Sequence, residues 1–215
     1  TLPAGYQASP DLLANRVVLI TGAGDGIGKT AALTYARHGA TVILLGRTVA
    51  KLETVYDEIV AEKLPEPAIV PADMGSLGVK TLAEISEVID ERYGRLDGLL
   101  HNAAILGERV PVEHYDLQLW DEVMQVNFNG VVMLTRFLLP QLRQSKQASL
   151  IFTSSGVGVT PRAYWGPYAI SKYALEGFAQ LLASELENTS DIRVSVLNPG
   201  ATRTRMRALA YPSQD

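Results

Sequence analysis

Residues 17–28 read Val17-Val18-Leu19-Ile20-Thr21-Gly22-Ala23-Gly24-Asp25-Gly26-Ile27-Gly28, and the chain continues Lys29-Thr30-Ala31-Ala32-Leu33-Thr34-Tyr35-Ala36-Arg37-His38-Gly39. Four consecutive β-branched or long aliphatic residues, Val17 to Ile20, predict a buried strand, and the composition after Gly28 predicts a helix ending at Gly39. Strand, glycine turn and helix make a phosphate cradle. Glycines let the backbone come close to a pyrophosphate, and the helix start offers unpaired N–H groups and the positive end of a dipole. A literal G-x-G-x-x-G is absent; the pattern is Thr21-Gly22-x-x-x-Gly26-x-Gly28, which alone would equally describe a tight surface turn. Its place between strand and helix makes Thr21, Gly22, Gly24, Asp25, Gly26, Ile27 and Gly28 the expected dinucleotide contacts.

Outward from this stretch, the chain alternates. Ala40 to Gly46 is a second apolar strand, and Thr48 to Lys63 carries Val49, Leu52, Val55, Tyr56 and Ile59 at helical spacing. Pro67 to Asp73 is a third strand, kept short by its two prolines or bounded by them. Ser76 to Tyr93 is a helix, Leu96 to Ala104 a fourth strand, and Leu117 to Ser145 a long helical region around Asn127 and Pro140. Ser149 to Ser155, a turn and helix within Pro161 to Asn188, and a sixth strand at Ile192 to Leu197 follow. Apolar strands alternating with helices predict an α/β fold, a doubly wound parallel sheet of Rossmann type with helices on both faces. Ligands of such sheets sit beyond the carboxyl ends of the strands, so the residues just after each strand carry the information.

The 215 residues, 47% hydrophobic, suffice for one sizeable core, and no linker divides them, so a single domain is expected. With no cysteine there is neither a disulfide framework nor a thiolate metal site, which suits a reducing cytoplasm. His38, His101 and His114 are too scattered to suggest a metal. A net charge of −4 with interspersed signs argues against a nucleic-acid partner. Thr1 to Arg16 shows no basic-then-apolar leader pattern, and no apolar run approaches membrane-spanning length, so no membrane partner is expected.

Tyr168 and Lys172, four apart on a predicted helix, share one face. A tyrosine titrates near ~10, too high for a ready proton shuttle at neutral pH, and a neighbouring ammonium lowers it by favouring the phenolate. The two make an acid/base pair. Nine tyrosines and six lysines give about a quarter of such a match by chance, so the pair alone is equally a core tyrosine beside a surface lysine. Ser155 gives it context: it ends the fifth strand thirteen residues earlier, placed to hydrogen-bond the carbonyl oxygen that Tyr168 would protonate.

The set Thr21-Gly22-x-x-x-Gly26-x-Gly28, Asn102-Ala103, Asn127, Ser155, Tyr168-x-x-x-Lys172 and Pro199-Gly200 resembles the short-chain dehydrogenase/reductase family, in family order and from Asn15 to Thr204. Ala40 to Arg47 and Asn198 to Arg207 further resemble a bacterial subgroup of that family. The resemblance implies that Tyr168 is the general acid/base, that Lys172 lowers its pKa and holds the nicotinamide ribose, and that Ser155 positions the substrate oxygen. Asn127 would kink a helix and hold a water in a proton relay toward the lysine. Asn102, Ala103, Pro199, Gly200, Thr202 and Thr204 would join the cofactor site, and the long helices beginning near Leu117 and Tyr164 would pack a homodimer or homotetramer. Relatives normally continue to a seventh strand, so the sequence to Asp215 is expected to lack a C-terminal segment.

One family signature departs. His101-Asn102-Ala103-Ala104 stands where Asn-Asn-Ala-Gly is common, and His101 itself is expected to be structural. At the end of the second strand, where an acid would grip the ribose 2′-OH of NAD, the residues are Gly46-Arg47-Thr48. Arg47 suits a 2′-phosphate, so NADP(H) is the expected cofactor, with NAD(H) and a merely solvated arginine as alternatives. Asp25 stands in the glycine loop where a second basic residue is often found in NADP-type relatives. Asp73 would read the adenine edge or cap the next helix. Val157, Val159, Tyr164 and Trp165 are expected substrate walls or ordinary packing, and Arg203, Arg205 and Arg207 a solvated face or an anion site.

The expected function is reduction of a small carbonyl compound, or oxidation of its alcohol, by hydride transfer. One alternative is a non-catalytic NADP(H)-binding redox sensor, which would have no use for a proton relay. A nucleotide-sugar epimerase or dehydratase would need more than the 15 residues after Gly200 for its substrate domain.

Overall fold

The computed structural model describes residues 5–212. Val17–Thr21 forms strand β1, buried along its whole length. It lies parallel between β2 (Thr41–Gly46) and β4 (Gly98–His101). With β3 (Ala68–Pro71), β5 (Ala148–Thr153) and β6 (Ile192–Leu197), the sheet is six-stranded and parallel in the order β3-β2-β1-β4-β5-β6. The strand order reverses between β1 and β4, and at such a switch point the carboxyl ends of the strands open a ligand crevice.

The period-2 alternation of strand side chains divides the core into two layers. Val18, Ile20, Val42 and Leu44 pack against α1 (Gly26–Arg37) and α2 (Val49–Ala61) through Ala32, Ala36, Leu52, Val55 and Ile59. Leu19, Ile43, Leu45, Leu99 and Leu150 face the other way, onto α3 (Val79–Tyr93), α5 (Gly130–Arg143) and α6 (Gly166–Leu186). Helices therefore cover both faces, and the doubly wound single domain read from the sequence is the fold.

Two boundaries differ from expectation for identifiable reasons. Strand β4 stops at His101 because the next two N–H groups, of Asn102 and Ala103, donate to the Thr21 hydroxyl at 2.9 and 3.0 Å instead of extending the ladder. The long helical region divides into α4 (Leu117–Met124), capped by the Asp116 carboxylate, a π turn at Gln125–Asn129, and α5. Gly130 N–H reaches back to Gln125 O to close that wide turn, and any side chain at Gly130 would press on Met74 O. A seventh helix, α7 (Arg205–Ala210), follows the sixth strand and was not anticipated. No helix among the described residues is long and apolar enough to cross a membrane. The first residues of the stretch read for a leader, and the expectation about sequence after Asp215, lie outside the described residues.

Candidate active site

The glycine turn is shaped by contacts that leave no room for side chains. Gly22 and Gly26 take φ of +67° and +51°, where a Cβ is strained. A side chain at Gly28 would run into the carbonyl oxygen of Gly22, and one at Gly22 would come within 3.0 Å of the Ala103 backbone. The start of α1 consequently opens onto a cleft of about 670 Å³ along the carboxyl ends of the strands, lined by Gly22, Gly24, Asp25, Gly26 and Ile27. Thr21 and Gly28 are not in its lining, contrary to expectation. Thr21 is fully buried, bracing Asn102 and Ala103, and Gly28 packs beneath Gly22.

Arg47, Asp73, Asn102, Ala103, Pro199, Gly200, Thr202 and Thr204 all line the same cleft. Arg47 is exposed at the end of β2. Asp73 accepts from Gly75 N–H at 2.9 Å and so closes a turn; the residue before α3 is Gly78, so Asp73 does not cap that helix. The cleft fits a dinucleotide on its own evidence. Its anion end is a helix N-terminus behind side-chain-free backbone, and the Thr153 and Ser154 hydroxyls are buried in its wall without a hydrogen-bond partner.

At the other end of the cleft stand Ser155, Tyr168 and Lys172. Ser155 follows β5 in extended conformation before a 3₁₀ turn, and Tyr168 and Lys172 lie one turn apart on α6, both almost wholly buried. Lys172 Nζ lies 5.8 Å from the centroid of the Tyr168 ring and donates to Thr153 O at 2.7 Å. Burial pushes the Tyr168 phenol above its ordinary value, and the hydrogen bond with Ser155 pulls it back only in part. That differs from the expected direction, because desolvation of the phenol dominates. Burial also brings Lys172 down to about 8.

Asn127 is fully buried and outside the cleft lining. It sits in the π turn, accepting from Ile105 N–H at 2.8 Å and donating to Ile105 O at 2.9 Å and Ser171 Oγ at 3.1 Å. Its side chain is thus a strut between the segment after β4 and α6, and the helical run widens into a π turn at this position. His101 stacks on Phe152 with ring centroids 5.2 Å apart, and its Nε2 meets Thr135 Oγ1 at 2.8 Å. Thr135 donates its own hydrogen to Val131 O, so His101 Nε2 carries the proton. Burial first, and then the Lys172 charge, hold this imidazole neutral down to about 3.

Of the expected substrate walls only Trp165 lines the cleft. Val157 is buried beneath it, and Val159 and Tyr164 face outward. The walls that sequence reasoning missed are Leu106 and Gly107 after β4, and Met206, Leu209, Ala210 and Tyr211 of α7 and its end. Arg205 and Arg207 line the cleft, whereas Arg203 is exposed away from it. Arg207 lies over the Tyr211 ring at 4.9 Å. Lys51 of α2 was also missed, because its approach to the glycine turn depends on how α2 packs. Among the described residues no cluster of His, Asp or Glu could hold a metal ion.

A buried Tyr–Lys pair with a serine across a glycine-cradled cleft defines a class of nicotinamide-dependent oxidoreductases, and the chain belongs to it: the short chain dehydrogenase family model matches residues 16–215. The particular relative is bacterial. The oxidoreductase YciK of Escherichia coli (strain K12), itself uncharacterized, is 49% identical over 210 residues, spanning 98% of this chain and 82% of that one. Among solved structures, a short chain dehydrogenase from Escherichia coli CFT073 complexed with NADPH superposes with a TM-score of 0.94 at 48% identity, covering 97% of this chain and 86% of that one. Another, from Shigella flexneri 2a complexed with NADP, gives 0.93 at 48% identity, covering 96% and 86%.

Proposed function

We propose that this protein is an NADP(H)-dependent oxidoreductase that interconverts a small carbonyl compound and its alcohol, with Tyr168 as general acid/base. The observation that carries the proposal is that Ser155, Tyr168 and the buried Lys172 line one end of the same cleft as the glycine turn. The nicotinamide, when bound, supplies or accepts the hydride. In reduction, Ser155 hydrogen-bonds the carbonyl oxygen and Tyr168 gives it a proton. A phenol raised by burial remains protonated at neutral pH, as a general acid must. Lys172, with Nζ 5.8 Å from the Tyr168 ring centroid, would stabilise the phenolate left behind and would hold the nicotinamide ribose, while Asn127 ties the segment after β4 to α6.

Arg47, at the end of β2 where no acid is present to favour NAD(H), would take the 2′-phosphate; the NADP-containing relatives support this assignment. One charge-assisted contact of about 1.5 to 3 kcal/mol corresponds to a preference of roughly ten- to a hundredfold. Arg47→Asp is expected to invert it, and equal NADH and NADPH dissociation constants for the parent protein would contradict the assignment. The exposed apolar residues Leu117 on α4 and Ile170, Tyr173 and Leu181 on α6 suit a homodimer or homotetramer. A sensor without turnover gains nothing from a buried lysine of lowered pKa, so the enzyme is the reading we adopt. A panel of aldehydes, ketones and quinones followed by NADPH oxidation tests it; tight NADPH binding without turnover of any carbonyl or alcohol would favour the sensor.

A further inference from the structure

Asp25 poses an electrostatic problem inside the cofactor cradle. Its Oδ1 accepts from Gly26 N–H at 2.8 Å, capping α1 at the point where a pyrophosphate would be received. A fixed carboxylate there repels an anionic cofactor. The structure supplies the counter-charge from another element: Lys51 Nζ of α2 donates to Asp25 Oδ2 at 2.6 Å. Lys51 packs tightly against the turn, since a Cβ on Gly24 would come within 2.9 Å of Lys51 Cβ. It stands four residues after Arg47, in the first turn of α2, and the two cations line one end of the cleft.

Stability does not account for the pair. Its side chains are 44% and 58% exposed, and an ion pair so solvated contributes less than about 1 kcal/mol. A lysine on a flexible four-carbon stem can exchange one anion for another. We propose that Lys51 is a second reader of the cofactor 2′-phosphate, parked on Asp25 in the free protein and transferred to the phosphate when NADP(H) binds. The inference rests on the assignment of Arg47 to the same phosphate. It makes Lys51 a determinant of cofactor choice and Asp25 the competitor that sets how much of its affinity is expressed.

Calorimetric titration of NADPH and NADH into the parent, Lys51→Ala, Asp25→Asn and Arg47→Ala proteins tests this without any substrate. Lys51→Ala keeps the Cβ that packs on Gly24, and its thermal midpoint without cofactor is expected to match the parent. Its NADPH affinity should fall about tenfold, with NADH affinity changing less than threefold. Asp25→Asn keeps an oxygen to cap Gly26 and frees the lysine, so NADPH should tighten at least twofold more than NADH. Equal losses for both cofactors in Lys51→Ala would overturn the proposal, leaving Lys51 as a neutraliser of Asp25 alone, and so would no loss at all. Weaker NADPH binding by Asp25→Asn would overturn the exchange between anions. If Arg47→Ala loses the preference and Lys51→Ala does not, only the Lys51 proposal fails. If the parent protein has no preference, the Arg47 assignment fails and the proposal falls with it.

Discussion

Lys172 is a cation nearly excluded from water, and it donates a hydrogen bond to Thr153 O. Because burial brings it down to about 8, the reduction rate at saturating NADPH is expected to hold to about pH 8 and fall beyond, as the charge behind Tyr168 is lost. A rate unchanged to pH 10 would contradict that role. The same burial makes Lys172 costly to the free protein, so Lys172→Met is expected to raise the thermal midpoint while abolishing turnover. The spacing of Ser155, Tyr168 and Lys172 was legible in the sequence because strand end and helix face fix it locally. The direction of the Tyr168 shift was not, since it depends on Trp165, 5.8 Å away between ring centroids, and on how the cleft walls exclude water.

At the scale of elements, α7 forms one wall of the cleft, and Arg109 ties it to the other wall alongside its apolar contacts. Arg109, after β4, stacks over Trp165 at 4.7 Å and Tyr211 at 5.2 Å and donates to Ala210 O. Cation–π contacts of this kind contribute about 0.5 to 1 kcal/mol each when partly exposed. Arg109→Ala should therefore speed amide hydrogen exchange across residues 205–210 by roughly tenfold, and unchanged exchange would show that α7 is held by its apolar contacts alone. The strands and the long helices were readable from apolar periodicity. Helix α7 was not: its six residues offer too short a pattern, and its docking depends on Arg109, a hundred positions earlier. The π turn was likewise anticipated only as a kink, because the Gly130 contact with Met74 that fixes it joins distant segments.

At the scale of the whole molecule, two buried groups at opposite ends of β4, His101 and Asp97, bear on its tolerance of acid. His101 stays neutral in the folded chain down to about 3 but protonates near 6.5 when unfolded, so its contribution is complete above about 6.5 and is lost progressively as pH falls toward 3. Unfolding free energy should drop by about 1.4 kcal/mol per pH unit in that window, and His101→Asn should remove this slope. Asp97 acts lower. Burial pushes its carboxyl up, but Ser145 at 2.6 Å, the Val17 N–H at 2.9 Å and Arg95 outweigh it and hold it below its ordinary value. Its stabilisation is present above about 3.8 and lost as pH falls further. Asp97 also ties the start of β1 to the start of β4 through the Val17 N–H. Whether the cleft is a reaction site is decided most directly by single-turnover reduction of a carbonyl compound that the parent enzyme reduces, carried out with NADPH-loaded Tyr168→Phe protein. That substitution leaves the ring to pack and the cofactor to bind, so NADPH affinity should stay within about threefold of the parent while the rate falls by at least ~10²-fold, the usual contribution of general acid catalysis. A variant that binds NADPH equally well and reduces the compound at the parent rate would contradict the account.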